Sequence, residues 1–277
     1  MSTSRSIFSI YSRRLGLLCA TLAAVLALSM ASTESARAAA QCSAASAPQR
    51  QALVELYTSE GCDSCPPAEN WLSQIGVSTP GIVPLALHVN YWDNQAWHDR
   101  FAEPGFTDRQ QALSERNGSH IVYTPEVALA GFELRDWHSK SDFNAALAKV
   151  SAQPSGAEIH LDLAGTGAQT ALNASFVQHS GGSASAPAAQ AFVAVYENRL
   201  VSRIGGGENG GATLHHEFVV RQWVGPVPLV KGSAQIQQTL NLAPDGGIPE
   251  PDRFGVAAFV QAANGEVLQA LALPACH

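Results

Sequence analysis

Residues 52–57 read Ala-Leu-Val-Glu-Leu-Tyr, residues 58–65 Thr-Ser-Glu-Gly-Cys-Asp-Ser-Cys, and residues 66–75 Pro-Pro-Ala-Glu-Asn-Trp-Leu-Ser-Gln-Ile. The first run is short, apolar and rich in strand-forming residues, so it reads as a buried strand. Ser59-Glu60-Gly61 turns the chain. Ala68, Trp71, Leu72 and Ile75 then recur at i, i+3, i+4 and i+7, which is one face of a helix, and Gly76 supplies a stop. Pro66 and Pro67 lack an N–H and fit only where that donor is unsatisfied anyway, in a first helical turn. The helix is therefore expected to begin near Ser64 or Cys65, with Ser64 as its cap.

Cys62 and Cys65 thus lie between a strand and a helix start, close enough to close a small disulfide ring. Free amides and partial positive charge at a helix N-terminus favour a thiolate. Cys62, farther from the helix body, is the expected nucleophile, and Cys65 the resolving thiol. Asp63 opposes the thiolate electrostatically. The alternative is a permanent disulfide that stiffens the loop. A zinc site would need two further ligands, and the chain has no second close cysteine pair, so neither a metal nor a cofactor is expected.

Working outward, Ile82 to Val89 is a second strand, and strand, helix, strand suggests a parallel pair joined by a crossover. Thr107 and Gln110 form a capping-box pair that Asn117-Gly118 can close. Glu126 to Ala130 and Phe132 to Leu134 read as a hairpin. Ser141 is the expected cap of a last helix carrying Phe143, Ala146, Leu147 and Val150. Ser151 to Gly156 reads as a linker. Beyond it the period becomes two, as in Ile159, Leu161 and Leu163, and short strands follow to the C-terminus without helices. Gly181 to Ala189 is a small-residue loop.

The N-terminus has the pattern of an export signal over residues 1–40: Arg5, Arg13 and Arg14, the apolar run Leu15–Met30, and Ala38-Ala39-Ala40 before Gln41. The expected location is periplasmic or secreted, with no stable membrane span after cleavage. The net charge is -7. The first forty residues hold four arginines and one glutamate, so the remainder is more acidic still. A nucleic-acid partner is not expected, because no basic patch is present to meet phosphates. Cys19 leaves with the signal, and Cys42, Cys62, Cys65 and Cys276 remain. Four cysteines allow three pairings. Two lie two residues apart and two at the ends of the mature chain, which favours a local redox pair and a Cys42–Cys276 staple.

Strand, Cys-x-x-Cys at a helix start, strand, then Thr124-Pro125 opening a β-hairpin and a final helix resembles the thioredoxin fold. That resemblance implies a cis Pro125 facing the cysteines and a Thr124 backbone that pairs with a substrate strand. More specifically, Glu55-Leu56-Tyr57-Thr58-Ser59-Glu60-Gly61-Cys62, Cys65-Pro66-Pro67-Ala68-Glu69, His88-Val89-Asn90-Tyr91-Trp92-Asp93, Phe106-Thr107, Arg109-Gln110, Tyr123-Thr124-Pro125, Gly207-Glu208-Asn209, Leu214, His216 and Val219-Val220-Arg221 are similar to the secreted family known as domain of unknown function 1223. The resemblance implies an α/β thioredoxin-like domain at 41–152 (βαβ, helical insertion, ββα), then a mostly antiparallel β-sandwich-like domain at 155–277. It implies no particular reaction.

Further residues carry expectations of their own. Tyr91, Trp92, Asp93, Trp97 and His98 follow the second strand, at the sheet edge where α/β sites form, and can grip an extended peptide. His98 is a candidate proton carrier. His88, inside a strand, reads as a core histidine. His215 and His216 point to opposite faces of a strand and cannot chelate one ion. Glu208, Asn209 and Arg221 are read as a hydrogen-bonded domain junction. The expected function is thiol–disulfide exchange on protein thiols or disulfides, with a separate redox partner. The alternatives are copper handling by the same cysteines plus His88 or His98, and a binding module with a structural disulfide.

Overall fold

The computed structural model describes residues 41–165, 168–179, 188–243 and 250–276. The export signal expected over 1–40, and most of the expected small-residue loop, lie outside the described residues. From Gln41 onward these residues belong to one compact unit. In chain order the elements are β1 (Gln41–Ala45), β2 (Ala52–Thr58), α1 (Pro66–Ser78), β3 (Ile82–His88), α2 (Pro104–Arg116), β4 (Glu126–Leu129), β5 (Phe132–Glu133) and α3 (Lys140–Ser151). There follow β6 (Ala157–Ala164), β7 (Gln169–Gln178), β8 (Ala189–Glu197), β9 (Leu200–Arg203), β10 (Thr213–His216), β11 (Val219–Pro228), β12 (Ser233–Asn241), β13 (Phe254–Ala262) and β14 (Val267–Pro274).

The expected architecture, a thioredoxin-like α/β domain followed by a separate β-sandwich, is overturned. The protein is mostly β, and its main sheet is mixed and eight-stranded, in the order β14-β13-β8-β11-β3-β2-β4-β5. It joins strands from both ends of the sequence into one surface. The junction is short: Val219 of β11 lies parallel to Ala86 of β3, and the Ala86 amide donates to the Phe218 carbonyl at 2.8 Å. A second sheet, β1-β6-β7-β12, and a β9–β10 ribbon complete the fold. Period-two patterning shows that a strand exists and which side faces the core. It carries no information about which distant strand becomes its neighbour.

Burial follows from the sheet's two faces. On one face Ala52, Val54 and Leu56 of β2 pack with Ala68 and Leu72 of α1 and Phe143 of α3. Farther along, Ala191, Val193 and Val195 of β8 meet Ile159, Leu161 and Leu163 of β6 and Phe176 of β7. The alternation in β6 and β7 is that of strands buried on one side only. On the opposite face Leu53, Tyr57, Leu85, Leu87, Phe192 and Phe259 surround Phe106 and Leu113 of α2. The sheet curls around this second core until the Val267 amide donates to the Ala130 carbonyl at 2.9 Å, linking its far ends. Arg109 enters the same core from α2, bonded through two nitrogens to Glu55 at 2.5 and 3.1 Å, with its guanidinium 5.1–5.2 Å from the rings of Phe192, Trp223 and Phe259. A buried carboxylate is tolerable here because its partner is a bidentate cation.

Local starts differ from the sequence reading in three places. Helix α1 begins at Pro66 with Cys65, not Ser64, in the cap position. Helix α2 begins at Pro104, and Thr107 bonds Asn90 instead of capping. Helix α3 is capped by Ser139, whose hydroxyl accepts from the Asp142 amide. Among the described helices only α3 has a side-chain cap; α1 and α2 start on prolines, whose missing N–H removes one of the donors a cap would satisfy.

Cys42 and Cys276 form a disulfide with Cα atoms 5.6 Å apart, tying β1 to the chain after β14 across 234 residues. Closing so long a loop restricts the unfolded chain most. The double variant Cys42→Ser/Cys276→Ser is expected to lose about 2–5 kcal/mol in urea unfolding. An unchanged midpoint would mean the staple contributes nothing.

Candidate functional site

Strand β2 ends at Thr58, and the chain turns tightly before α1. The Cys62 amide donates to the Ser59 carbonyl at 3.2 Å, and the Cys65 amide to the Cys62 carbonyl at 3.3 Å. Cys62 and Cys65 are joined as a disulfide, with Cα atoms 5.5 Å apart. The Cys65 carbonyl accepts from the Ala68 and Glu69 amides, so this cysteine is built into the first helical turn, while Cys62 stands ahead of it. The Ser64 hydroxyl lies 3.3 Å from the Cys62 sulfur. Both cysteines have 0% exposure.

They are covered by the segment between β9 and β10. The Glu208 amide donates to the Gly61 carbonyl at 2.9 Å, and a Glu208 carboxylate oxygen accepts from the Asp63 amide at 3.2 Å. Asn209 donates from one side-chain nitrogen to the carbonyls of Glu60 and Cys62, at 3.0 and 2.8 Å. Glycine is required where these backbones touch: Gly207 has φ +70°, and a Cβ there would stand 2.8 Å from the Gly61 Cα. Trp97 fills the remaining cover, its ring so near Gly61 that a Cβ would come within 2.9 Å.

The other expected site residues are distributed as follows. The Thr124–Pro125 bond is cis. Glu126, the next residue, pairs with Tyr57 near the end of β2, which sets the proline beside the strand that feeds the cysteine loop. Trp92 donates from its indole nitrogen to the Thr124 hydroxyl at 2.9 Å. Tyr91 is exposed. Asp93 accepts the Asp99 amide and lies 3.3 Å from the exposed His98 ring. Arg221 pairs with Glu197 and sits over the Phe101 ring, whereas Glu208 and Asn209 hold the cysteine loop.

Beneath the loop lies a buried acid–imidazole cluster that the sequence reading missed. His216 Nδ1 is 2.5 Å from Glu69, and its Nε2 is 3.3 Å from Glu60. His88 Nδ1 is 2.8 Å from Asp99, which also accepts the Glu60 amide. Thr58 donates to the other Glu69 oxygen at 2.7 Å. Burial opposes charge on His216, but the carboxylates of Glu60 and Glu69 outweigh it and raise its pKa to about 9. Burial likewise opposes charge on Asp99, and His88 with two backbone amides overcomes it, holding the carboxyl near about 2. Glu69 is lowered by His216 against its own burial. One signal was available: Glu69 sits on the apolar stripe of α1, four residues after Cys65 and three before Leu72, where a charge needs a buried partner.

Beside cis Pro125, Glu126 is raised to about 7, by burial first, against a hydrogen bond from Gln110 and with help from Glu133. A carboxyl raised on folding stays protonated after the unfolded chain has released its proton. Stability is therefore lost as pH rises from 4.5 towards 7. Glu126→Gln should flatten urea stability across that window and gain about 1–2 kcal/mol above it. An unchanged pH profile would contradict the assignment.

No curated protein matches the chain. Among solved structures, protein AGR_C_4864 from Agrobacterium tumefaciens has TM-score 0.56 and 21% identity over 81% of this chain and 94% of its own. HBP35 of Porphyromonas gingivalis has TM-score 0.61 and 18% identity over 83% of this chain and 76% of its own. At these identities the likeness is one of fold. The model of a protein of unknown function, DUF1223, matches residues 53–261, from the strand before the cysteine pair to the end of the main sheet's last long strand but one, and the chain belongs to that family.

Proposed function

We propose that this protein is an exported thiol–disulfide exchange protein acting on protein thiols or disulfides through Cys62 and Cys65. The observation that carries the reading is the closed Cys62–Cys65 disulfide at the first turn of α1, with Cys62 ahead of the helix and Cys65 part of it. In the oxidising direction, a substrate thiolate attacks the Cys62 sulfur. The disulfide breaks, and Cys65 leaves with the electron pair as a thiolate at the positive end of the helix. A second substrate thiolate then displaces Cys62. The substrate gains a disulfide, the pair becomes a dithiol holding two electrons, and a separate redox partner restores it. The reverse sequence reduces a substrate disulfide, with Cys62 attacking and Cys65 resolving.

Cis Pro125, Thr124 and the exposed Tyr91 offer an edge for the substrate chain, with Trp92 bracing Thr124. Because both sulfurs are covered, exchange requires the segment carrying Glu208 and Asn209 to yield. Export agrees with the two disulfides and with the N-terminal sequence pattern. Among the described residues no helix is long and apolar enough to cross a membrane. The full burial of both cysteines favours a second reading, in which the disulfide only ties the loop.

Equilibration of the purified protein with glutathione or dithiothreitol couples, followed by alkylation and mass mapping, separates the two readings. Exchange chemistry predicts a Cys62–Cys65 potential above about -300 mV and preferential labelling of Cys62 at limiting reagent. A potential below that, or labelling confined to Cys65, would remove the proposal. Asn209→Ala, which frees the Cys62 carbonyl from its clasp, should speed reduction of this disulfide several-fold and leave Cys42–Cys276 unaffected.

A further inference from the structure

We infer that His88, His216 and Glu69 form a buried site for a divalent transition-metal ion of the zinc class, directly beneath the cysteine loop. One ligand atom from each of the three lies within 4.8 Å of the others, and all three residues are buried. The site is assembled from separate parts of the chain: Glu69 from α1, His88 from the end of β3, and His216 from the end of β10.

The decisive feature is the state of the two imidazoles. Each has its Nδ1 against a carboxylate, Asp99 for His88 and Glu69 for His216. His88 leaves its Nε2 buried without a hydrogen-bond partner, while His216 Nε2 lies 3.3 Å from Glu60 Oε1, an ion pair outside hydrogen-bond geometry. The His88 side chain is 0% exposed and the His216 side chain 1%. A buried nitrogen without a partner, such as His88 Nε2, is costly and calls for a ligand. Metal-bound histidines have this same arrangement: one ring nitrogen donates to a carboxylate, which fixes the tautomer and turns the other nitrogen's lone pair towards the ion.

Glu60 is the outer carboxylate of His216, which leaves His216 Nδ1 for the ion. The Glu60 Oε1 is also buried without a hydrogen bond, and it stands 3.3 Å from His216 Nε2. One Glu69 oxygen accepts from Thr58 and the other faces His216 Nδ1, so the ion takes the place of the proton between Glu69 and His216 Nδ1 and meets His88 on a third side.

Charge allows the exchange. Three carboxylates, Glu60, Glu69 and Asp99, face two imidazoles in a pocket without surface. A dication entering the site is neutralised by these carboxylates, and any proton on a ligand nitrogen leaves for solvent. Two imidazoles with carboxylate oxygen suit zinc and its neighbours, while calcium and magnesium prefer all-oxygen shells. The donor set contains neither Cys62 nor Cys65, so the site operates with the disulfide closed and does not depend on the exchange reading.

The test uses the exported chain with both disulfides intact and no reductant, stripped with chelator and titrated with zinc chloride by calorimetry. One ion per chain is expected, with a rise in melting temperature. His88→Gln and His216→Gln should each weaken binding at least tenfold and abolish that rise. His160→Gln, at an exposed histidine paired with Glu158, should bind as wild type. Should either core variant fail to fold, anomalous diffraction at the zinc edge from wild-type crystals decides the matter. A peak between His88 and His216 supports the site. Absence of saturable binding, wild-type affinity in both core variants, or a zinc peak only elsewhere would overturn it.

Discussion

The open edge of β3 is the constraint from which the rest of the architecture follows. Strand β2 pairs one side of β3 in parallel along its whole length, and the other side must be covered because both faces of β3 are buried. Pro84 lacks an N–H, so the first half of β3 cannot take a full ladder, and pairing is confined to the neighbourhood of Ala86. Strand β11 meets it there. Once β11 is docked, β8, β13 and β14 extend the sheet antiparallel to one another, and the second sheet has an apolar surface to cover.

Docking at that point also determines what lies over the cysteines. The β9–β10 ribbon immediately precedes β11, so anchoring Val219 beside Ala86 brings the ribbon to the ends of β2 and β3. Its connecting segment then lies on the loop of Cys62 and Cys65, and the last residue of β10, His216, enters the space between Glu60 and Glu69. The same two-residue connection from His216 to Val219 thus joins sheet formation to site formation. Loss of the clasp and loss of the sheet junction should be thermodynamically coupled, because the elements involved share neighbours.

Two of the buried polar sets among the described residues contrast. Glu55 and Arg109 lie in the aromatic core within the curl of the sheet, where a bidentate ion pair and three rings satisfy the guanidinium. That set is complete, which is the pattern of a structural network. The set of Glu60, Glu69, His88, Asp99 and His216 leaves three polar atoms without hydrogen bonds, and it sits under the loop closed by the Cys62–Cys65 disulfide. Incomplete satisfaction in a packed interior is the feature on which the proposed ion site rests.

Much of this was legible in the sequence. The apolar run at 52–57, the stripe Ala68, Leu72 and Ile75, and the spacing of Cys62 and Cys65 each depend on neighbours a few residues away, and local periodicity reports them directly. The terminal pair Cys42 and Cys276 was legible by elimination, since four cysteines with two already adjacent leave one partner apiece. Membership of the family was readable from motifs such as Tyr123-Thr124-Pro125 and Gly207-Glu208-Asn209. The tertiary structure alone decided that the two halves share a sheet, that Glu208 and Asn209 hold the cysteine loop, and that His216 meets Glu69 across 147 positions. A strand's pattern specifies which side faces inward, but its hydrogen-bonding edge is the same backbone whatever the sequence, so the partner is chosen only when the whole set of buried surfaces is assembled.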